Sequence, residues 1–541
     1  MNKTALIFFL ATFSMVVSAY EVSTHAYMSD TAFQRSVLVN KGQGTVFSIL
    51  GFDRLDEYRP FLSPFSQQPF GEGDEPSKQG HGYFDMGPQG LLYARDPYTE
   101  VEEKKMSFLI RAKRIMEPPV SRVVFHMRGR LARGGIREDD LGTGDYDPDP
   151  YGQIIRVFNH FYDPVQNRGL ASSLLVWQFC QQFQLPCRRA IDWSTGLTDA
   201  LSGSWQPDTQ SRNHFSWASA REAEYRALTA RTDQNQNGIY DAEDARLDSV
   251  QRTFMWSTTF RALGDFVHLI QDMAQPQHTR LDAHHPLTMP SRQAYEAYTD
   301  LRVIRNFSAP SPFDPLRRMD GGFPSESYVA QPTLGVYPAV SFALPRRFFT
   351  TQAQNPDGNL PSNSELLSRA GMADFSNRTF FSEGTLPGSI DNDFPLPPTS
   401  ASDPGYSWQP TKGQLWVNRK RVASDQLTRS VADKAQPGYV DPASLAYGGK
   451  IPLLTRSVFY EDAVIFGENA SSYALDLYNY TIMADVLMPR AVAYSTGAIN
   501  HFFRGRLKIE APPAGLFAIA DHGIGHGTDA DGYPVCDATV P

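Results

Sequence analysis

The residues best suited to do chemistry lie in one short run, Gly264-Asp-Phe-Val-His268-Leu-Ile-Gln-Asp272-Met-Ala-Gln-Pro276-Gln-His278. His268 and Asp272 are four positions apart, which on a helix puts both side chains on one face. Pro276 must end that helix, and His278 can then turn back into the same space. Imidazole nitrogen and carboxylate oxygen are the ligands that zinc takes outside all-cysteine sites. The His-x-x-x-acid pair alone carries little, since 12 His and 59 acidic residues among 541 would give about one such pair by chance. The weight has to come from ligand-type residues elsewhere in the chain.

Such residues occur in three further segments: Tyr20-Glu-Val-Ser-Thr-His25, Asn159-His160-Phe161-Tyr162-Asp163-Pro164 and Tyr295-Glu296-Ala297-Tyr298. With the His268–His278 run they resemble, in order and over about 280 residues, the zinc-dependent phospholipase C and single-strand-specific nuclease family. The resemblance implies a mainly α fold, a helical bundle of that family's type, here with a long loop-rich insertion. It implies three zinc ions. His160, His268 and Asp272 would hold one, together with an upstream Asp. His278 and Glu296 would hold a second, together with another His. The α-amino and carbonyl groups of Tyr20, with His25 and Asp272, would hold the third. Asp272 would then bridge two ions, a task for an anion with two oxygens.

Two positions depart from the family's pattern. The upstream Asp is ambiguous: Gly134-Gly135-Ile136-Arg137-Glu138-Asp139-Asp140 resembles a Gly-Ala-x-x-Glu-Asp segment of bacterial relatives and favours Asp139. Asp140, Asp145, Asp147 and Asp149 stay open, and the last three lie closer to the family's spacing before His160. Four residues before Glu296, where the family has His, stands Arg292, which cannot bind zinc. His284 or His285 must substitute, with His284 slightly ahead, or the second zinc is weak or missing.

The chemistry expected is metal-assisted hydrolysis of a phosphate ester, with Asp139 orienting the attacking water. No Gly-x-Ser-x-Gly nucleophile elbow is present. The His160–Pro164 segment and Glu296 favour a phospholipase C-like phosphodiesterase acting on phospholipid or another phosphodiester. The spacing from Tyr20 to His25 matches the nuclease branch instead, with single-stranded nucleic acid as substrate. Arg292 favours a third reading, a catalytically degenerate, zinc-stabilised secreted binding protein. The remaining histidines, among them His126, His522 and His526, read as structural or solvated.

Apolar spacing predicts the helices that must position these residues: about 24–37, 103–116, 119–133, 170–183, 218–230, 250–274, 291–304 and 473–503. Between two of them, Asp233, Asn235, Asn237, Asp241 and Asp244 put oxygen side chains at loop positions 1, 3, 5, 9 and 12, with Gly238 at position 6. That is a calcium-binding loop, here closed by Asp instead of Glu, and its role would be structural. From about 307 to 456, Pro, Ser, Gly, Asn and Asp dominate and the stretch reads as a long loop-rich insertion, with short strands left open. A strand is expected near 515–520.

At the N-terminus, Lys3, the apolar run 5–17 and Val17-Ser18-Ala19 form a secretory signal, residues 1–19. Cleavage leaves Tyr20 as the first residue of a helical domain to about 505, followed by a tail from 506 to 541. A secreted or periplasmic protein with no integral membrane segment, and a monomer, is expected. Export permits a disulfide; Cys180 and Cys187 can bridge through a short loop, which leaves Cys536 over. The formal net charge is −9 and no Lys/Arg block marks a nucleic-acid footprint. Bound cations would nonetheless invert the local charge and admit an anionic substrate.

Overall fold

The computed structural model describes residues 22–39, 130–132, 134–135, 138–139, 156–172, 174–183, 187–202, 205–208, 210, 213, 215–231, 246–247, 249–282, 295–296, 298–299, 334–350, 371–386, 406–417, 420–430, 450–456, 473–475 and 477–504, with the two-residue strands β1 (Phe61–Leu62), β2 (Pro69–Phe70), β3 (Ala94–Arg95) and β4 (Ser121–Arg122) and two more at 527–528 and 534–535. The chain divides into two compact units, Met1–Phe503 and Arg504–Pro541. In the second, Gly527–Thr528 pairs antiparallel with Pro534–Val535. The expected strand at 515–520 lies outside the described residues.

Most described residues are helical, as the apolar spacing predicts. The centre of the first unit is a long helix, α5 (Ser249–Asp272). Its residues from Thr258 to Asp272 are all buried, polar ones included. A helix covered on every side is a core element, which explains why Arg261, Asp265, His268, Gln271 and Asp272 all need partners inside the protein. Around it pack α1 (Val22–Arg35), α3 (Ala190–Thr195), α4 (Trp217–Thr229) and α8 (Leu477–Phe502). Ser216 caps α4 by accepting a hydrogen bond from the Ser219 amide at 3.2 Å. Further out, α2 (Leu174–Phe183) is tied to the next segment by the Cys180–Cys187 disulfide, with 6.1 Å between Cα atoms. Pro276 ends α5 as expected, but also opens the one-turn helix α6 (Pro276–Thr279).

The contact between α5 and the segment carrying Asp139 depends on two glycines. A Cβ on Gly264 would lie 2.1 Å from the Leu131 carbonyl oxygen and 2.8 Å from the Gly134 Cα. A Cβ on Gly134 would lie 2.3 Å from the Arg261 carbonyl oxygen. Only paired glycines let these two backbones approach so closely.

The stretch 307–456 corrects the expectation of a loop-rich insertion with at most short strands: its strands are long and pair in one sheet. It supplies β5 (Tyr406–Val417), β6 (Lys420–Ser430) and β7 (Lys450–Arg456), which with β8 (Tyr473–Ala474) form an antiparallel sheet in the order β5-β6-β7-β8. It also supplies the helix α7 (Met372–Thr379). The prolines within these strands sit at irregularities. The β5–β6 register shifts between Gln409 and Gly413, around Pro410, and the β6–β7 register shifts next to Pro452. The second shift lets consecutive residues Leu453 and Leu454 both be buried. Two helix expectations are also corrected. Tyr473–Ala474 pairs as a strand before α8 begins at Leu477. Within the expected helix at 119–133, Ser121–Arg122 is a strand parallel to Ala94–Arg95.

Candidate metal centre

The i, i+4 pair His268 and Asp272 closes α5, and both are fully buried. Other segments reach the same place. From α1 comes His25, whose Nε2 lies 3.3 Å from Asp272 Oδ1 and 3.7 Å from Asp139 Oδ2. From the segment seated on Gly264 comes Asp139, 3.6 Å from His268 Nε2. From the turn after Val157–Asn159 comes His160, whose Nδ1 lies 3.2 Å from Asp139 Oδ1 and 3.0 Å from Asp272 Oδ2. The one-turn helix α6 returns His278, with Nδ1 4.0 Å from Asp272 Oδ2 and Nε2 3.8 Å from Glu296 Oε1. The structure therefore brings together His25, Asp139, His160, His268, Asp272, His278 and Glu296.

The donor set fits divalent metal. Both carboxylate oxygens of Asp139 and of Asp272, both ring nitrogens of His160 and Nε2 of His268 are buried and make no hydrogen bond. Each such orphaned group costs about 1–3 kcal/mol, so several at one point need a common partner. Ligands about 2.0–2.2 Å from a tetrahedral zinc stand roughly 3.3 Å apart. The nitrogen–oxygen separations of 3.0–3.7 Å around Asp139 and Asp272 match that spacing. Three sets of ligand atoms are close enough to share an ion: His25, His268 and Asp272; Asp139, His160 and His268; His160, Asp272 and His278. Glu296 belongs to no set of three among the described residues.

Hydrogen bonds fix which nitrogen faces the cluster. His25 Nδ1 bonds Gln271 Oε1 at 2.7 Å, His268 Nδ1 bonds the Gly135 carbonyl at 2.6 Å, and His278 Nδ1 bonds the His160 carbonyl at 2.9 Å. A carbonyl only accepts, so Nδ1 carries a proton in each case, and in the neutral ring Nε2 keeps its lone pair. Gln271 is oriented in turn, since its Nε2 donates to Ser29 Oγ at 3.1 Å. The rings of His25 and His268 stack at 3.7 Å, and Phe161 stacks on His278 at 4.5 Å.

The electrostatics are those of a compact mixed-charge cluster. Burial disfavours the Asp272 carboxylate, but the facing His268, His278 and His160 hold it well below the usual carboxylate range. Asp139 is lowered in the same way, against its burial, by His268 and His160. Burial opposes charge on His268, yet Asp272 and Asp139 push it up to about 9. His25 moves down, through burial and then the neighbouring His268.

Several expected ligands lie outside the described residues: Tyr20, His284 and the calcium-loop positions Asp233, Asn235, Asn237, Asp241 and Asp244. The stem of that loop is described. Arg231 pairs with Arg246, and the Leu247 amide donates to the Ala230 carbonyl at 2.7 Å. Sequence reasoning missed the roles of Gln271 and Glu138. Each stands beside a ligand in a quoted motif, and that adjacency was the available signal. No protein-family model, curated protein or solved structure matches the chain.

Proposed function

We propose that the chain is a zinc-dependent hydrolase of phosphate esters, of the zinc-dependent phospholipase C and nuclease type that its motifs resemble, and most specifically a phospholipase C-like phosphodiesterase. One observation carries this reading: four histidines and two aspartates converge, buried, at ligand–ligand spacing, and the oxygens of Asp139 and Asp272, both ring nitrogens of His160 and Nε2 of His268 make no hydrogen bond there. Asp139, His160, His268 and Asp272 would hold one ion. His25 and Asp272 would hold another with the Tyr20 α-amino and carbonyl groups, and His278 and Glu296 a third with His284. When bound, such ions supply Lewis acidity, lowering the pKa of water and stabilising charge on phosphate and leaving oxygens.

The chain's own residues supply orientation and a proton acceptor. The lowered pKa of Asp139 keeps it a carboxylate, able to align an attacking water and take its proton. A bond then forms from that water oxygen to phosphorus, and the bond to the ester oxygen breaks. The Asp233–Asp244 loop would bind structural calcium. The leader 1–19 would direct the protein out of the cytoplasm, where the Cys180–Cys187 bridge can form.

A specific observation favours a second reading, a degenerate zinc-stabilised binding protein: Arg292 stands where a ligand is expected, and Glu296 joins no three-ligand set among the described residues. The two readings separate in one experiment. The mature protein is assayed on phosphatidylcholine and on single-stranded DNA, with and without chelator, beside metal analysis. Chelator-sensitive release of phosphocholine is expected. Turnover of DNA alone would move the assignment to the nuclease branch, and bound zinc without turnover of either would sink the hydrolase.

A further inference from the structure

His160 differs from the other cluster histidines. His25, His268 and His278 spend Nδ1 on an acceptor, whereas His160 turns Nδ1 toward Asp139 and Asp272. Its Nε2 points the opposite way, 3.6 Å from Glu138 Oε1. Both ring nitrogens are buried, and neither makes a hydrogen bond at these distances.

Glu138 is fully buried and held from two sides. Trp193 Nε1 donates to its Oε1 at 2.7 Å, and Arg156 Nη1 donates to its Oε2. Arg156 lies 3.8 Å from Asp265 Oδ1, and Asp265 is gripped by Arg261 Nε at 2.7 Å, one turn earlier on α5. Arg156 also covers the rings of Trp193 and Phe215, at 5.6 and 5.4 Å. With its negative charge already met by Arg156 and an N–H, Glu138 is poorly suited to ligate metal. It keeps acceptor capacity on Oε1, on the side of His160.

Resting on the metal reading above, we infer that Glu138 is a positioning residue that fixes His160 in the Nε2–H tautomer, so that His160 alone among the four histidines offers Nδ1 to the metal. The contact, now 3.6 Å, needs to close by about 0.7–0.9 Å to become a charge-assisted hydrogen bond. A ring whose Nε2–H is claimed from behind has one lone pair left, on Nδ1, and that atom already faces both aspartates. This gives the buried Arg261–Asp265–Arg156–Glu138 chain a role beyond packing: it transmits the rigidity of α5 to a ligand carried on a loop.

The test is nitrogen-15 NMR of the histidine rings in the zinc-loaded full mature protein. His25, His268 and His278 are expected as Nδ1–H rings ligated through Nε2, and His160 as an Nε2–H ring ligated through Nδ1. Zinc bound with His160 ligated through Nε2, or not ligated, overturns the inference and leaves the hydrolase reading standing. No zinc bound at all overturns both. In Glu138→Gln, zinc affinity measured by chelator competition should fall about 10–100-fold, with the His160 tautomer signal broadened or inverted and helical circular dichroism kept. Unchanged affinity and tautomer in that variant overturn the inference. Should the variant fail to fold, the wild-type spectrum decides.

Discussion

At one end of the cluster Asp272 is surrounded. His25, His160 and His268 face its oxygens at 3.0–3.3 Å, and Asp139 faces the same three rings. Behind those rings stand Gln271, the Gly135 carbonyl and Glu138. At the other end His278 meets Glu296 at 3.8 Å, with its Nδ1 tied to the His160 carbonyl. Asp139 and Asp272 lie on or against the buried central helix α5, whereas His278 follows the proline that ends it. For the proposed metal site, the difference teaches where affinity would be acquired. Ligands fixed by a close-packed helix and by partners behind them lose little freedom on binding an ion.

The largest effect expected from breaking this asymmetry is at its shared residue. Asp272→Asn should remove at least two of the three expected ions, as read by elemental analysis of the purified protein; an unchanged zinc content refutes the bridging role. Next comes Gly264→Ala. Its methyl group would meet backbone at 2.1 and 2.8 Å, where no flexible side chain can yield. A loss of about 1–3 kcal/mol in denaturant unfolding is expected from overpacking, with weaker zinc at the Asp139 end. A variant as stable and as zinc-rich as the parent would show that the glycine contact does not seat Asp139.

Smaller changes should follow at the sparse end. Glu296→Gln should cost no more than one zinc and leave the thermal midpoint nearly unchanged, while His268→Ala lowers both. Equal losses in the two variants would erase the asymmetry. The smallest effect concerns pH. Glu383 hydrogen-bonds Gln277, the neighbour of His278, at 2.8 Å. Burial, and then the charge of Asp282, push its carboxyl up to about 8. In the unfolded chain it ionises near ~4.3. Between about pH 4.3 and 8 the folded state therefore holds the extra proton, and stability falls as pH rises through that window. Glu383→Gln should flatten that slope and gain about 1–3 kcal/mol at pH 8 relative to the parent. Parallel pH profiles for the two proteins would remove Glu383 from the account.

Much of this was legible in advance, for local reasons. The helix under His268 and Asp272 follows from apolar spacing and its end from Pro276. The Cys180–Cys187 bridge follows from a separation of seven residues and a connecting proline. Between 406 and 474 only short strands were left open and not the long paired sheet, because Pro410, Gly413 and Pro452 argue against strands locally and are accommodated only at register shifts set by partner strands.

The sequence by itself determined the types of the candidate ligands, their order along the chain and the shared helical face of His268 and Asp272, the last because it depends on residues four positions apart. Tertiary structure placed Asp139, which the motif favoured over Asp140, Asp145, Asp147 and Asp149, beside His160 and His268, and it alone decided that His160 turns Nδ1 where the others turn Nε2. It also decided that Gln271 and Glu138 stand behind the ligands. Those outcomes rest on contacts between positions far apart, 246 residues for Gln271 with His25 and 133 for Gly135 with His268. Such partners are selected by packing around a buried helix, which no local pattern encodes.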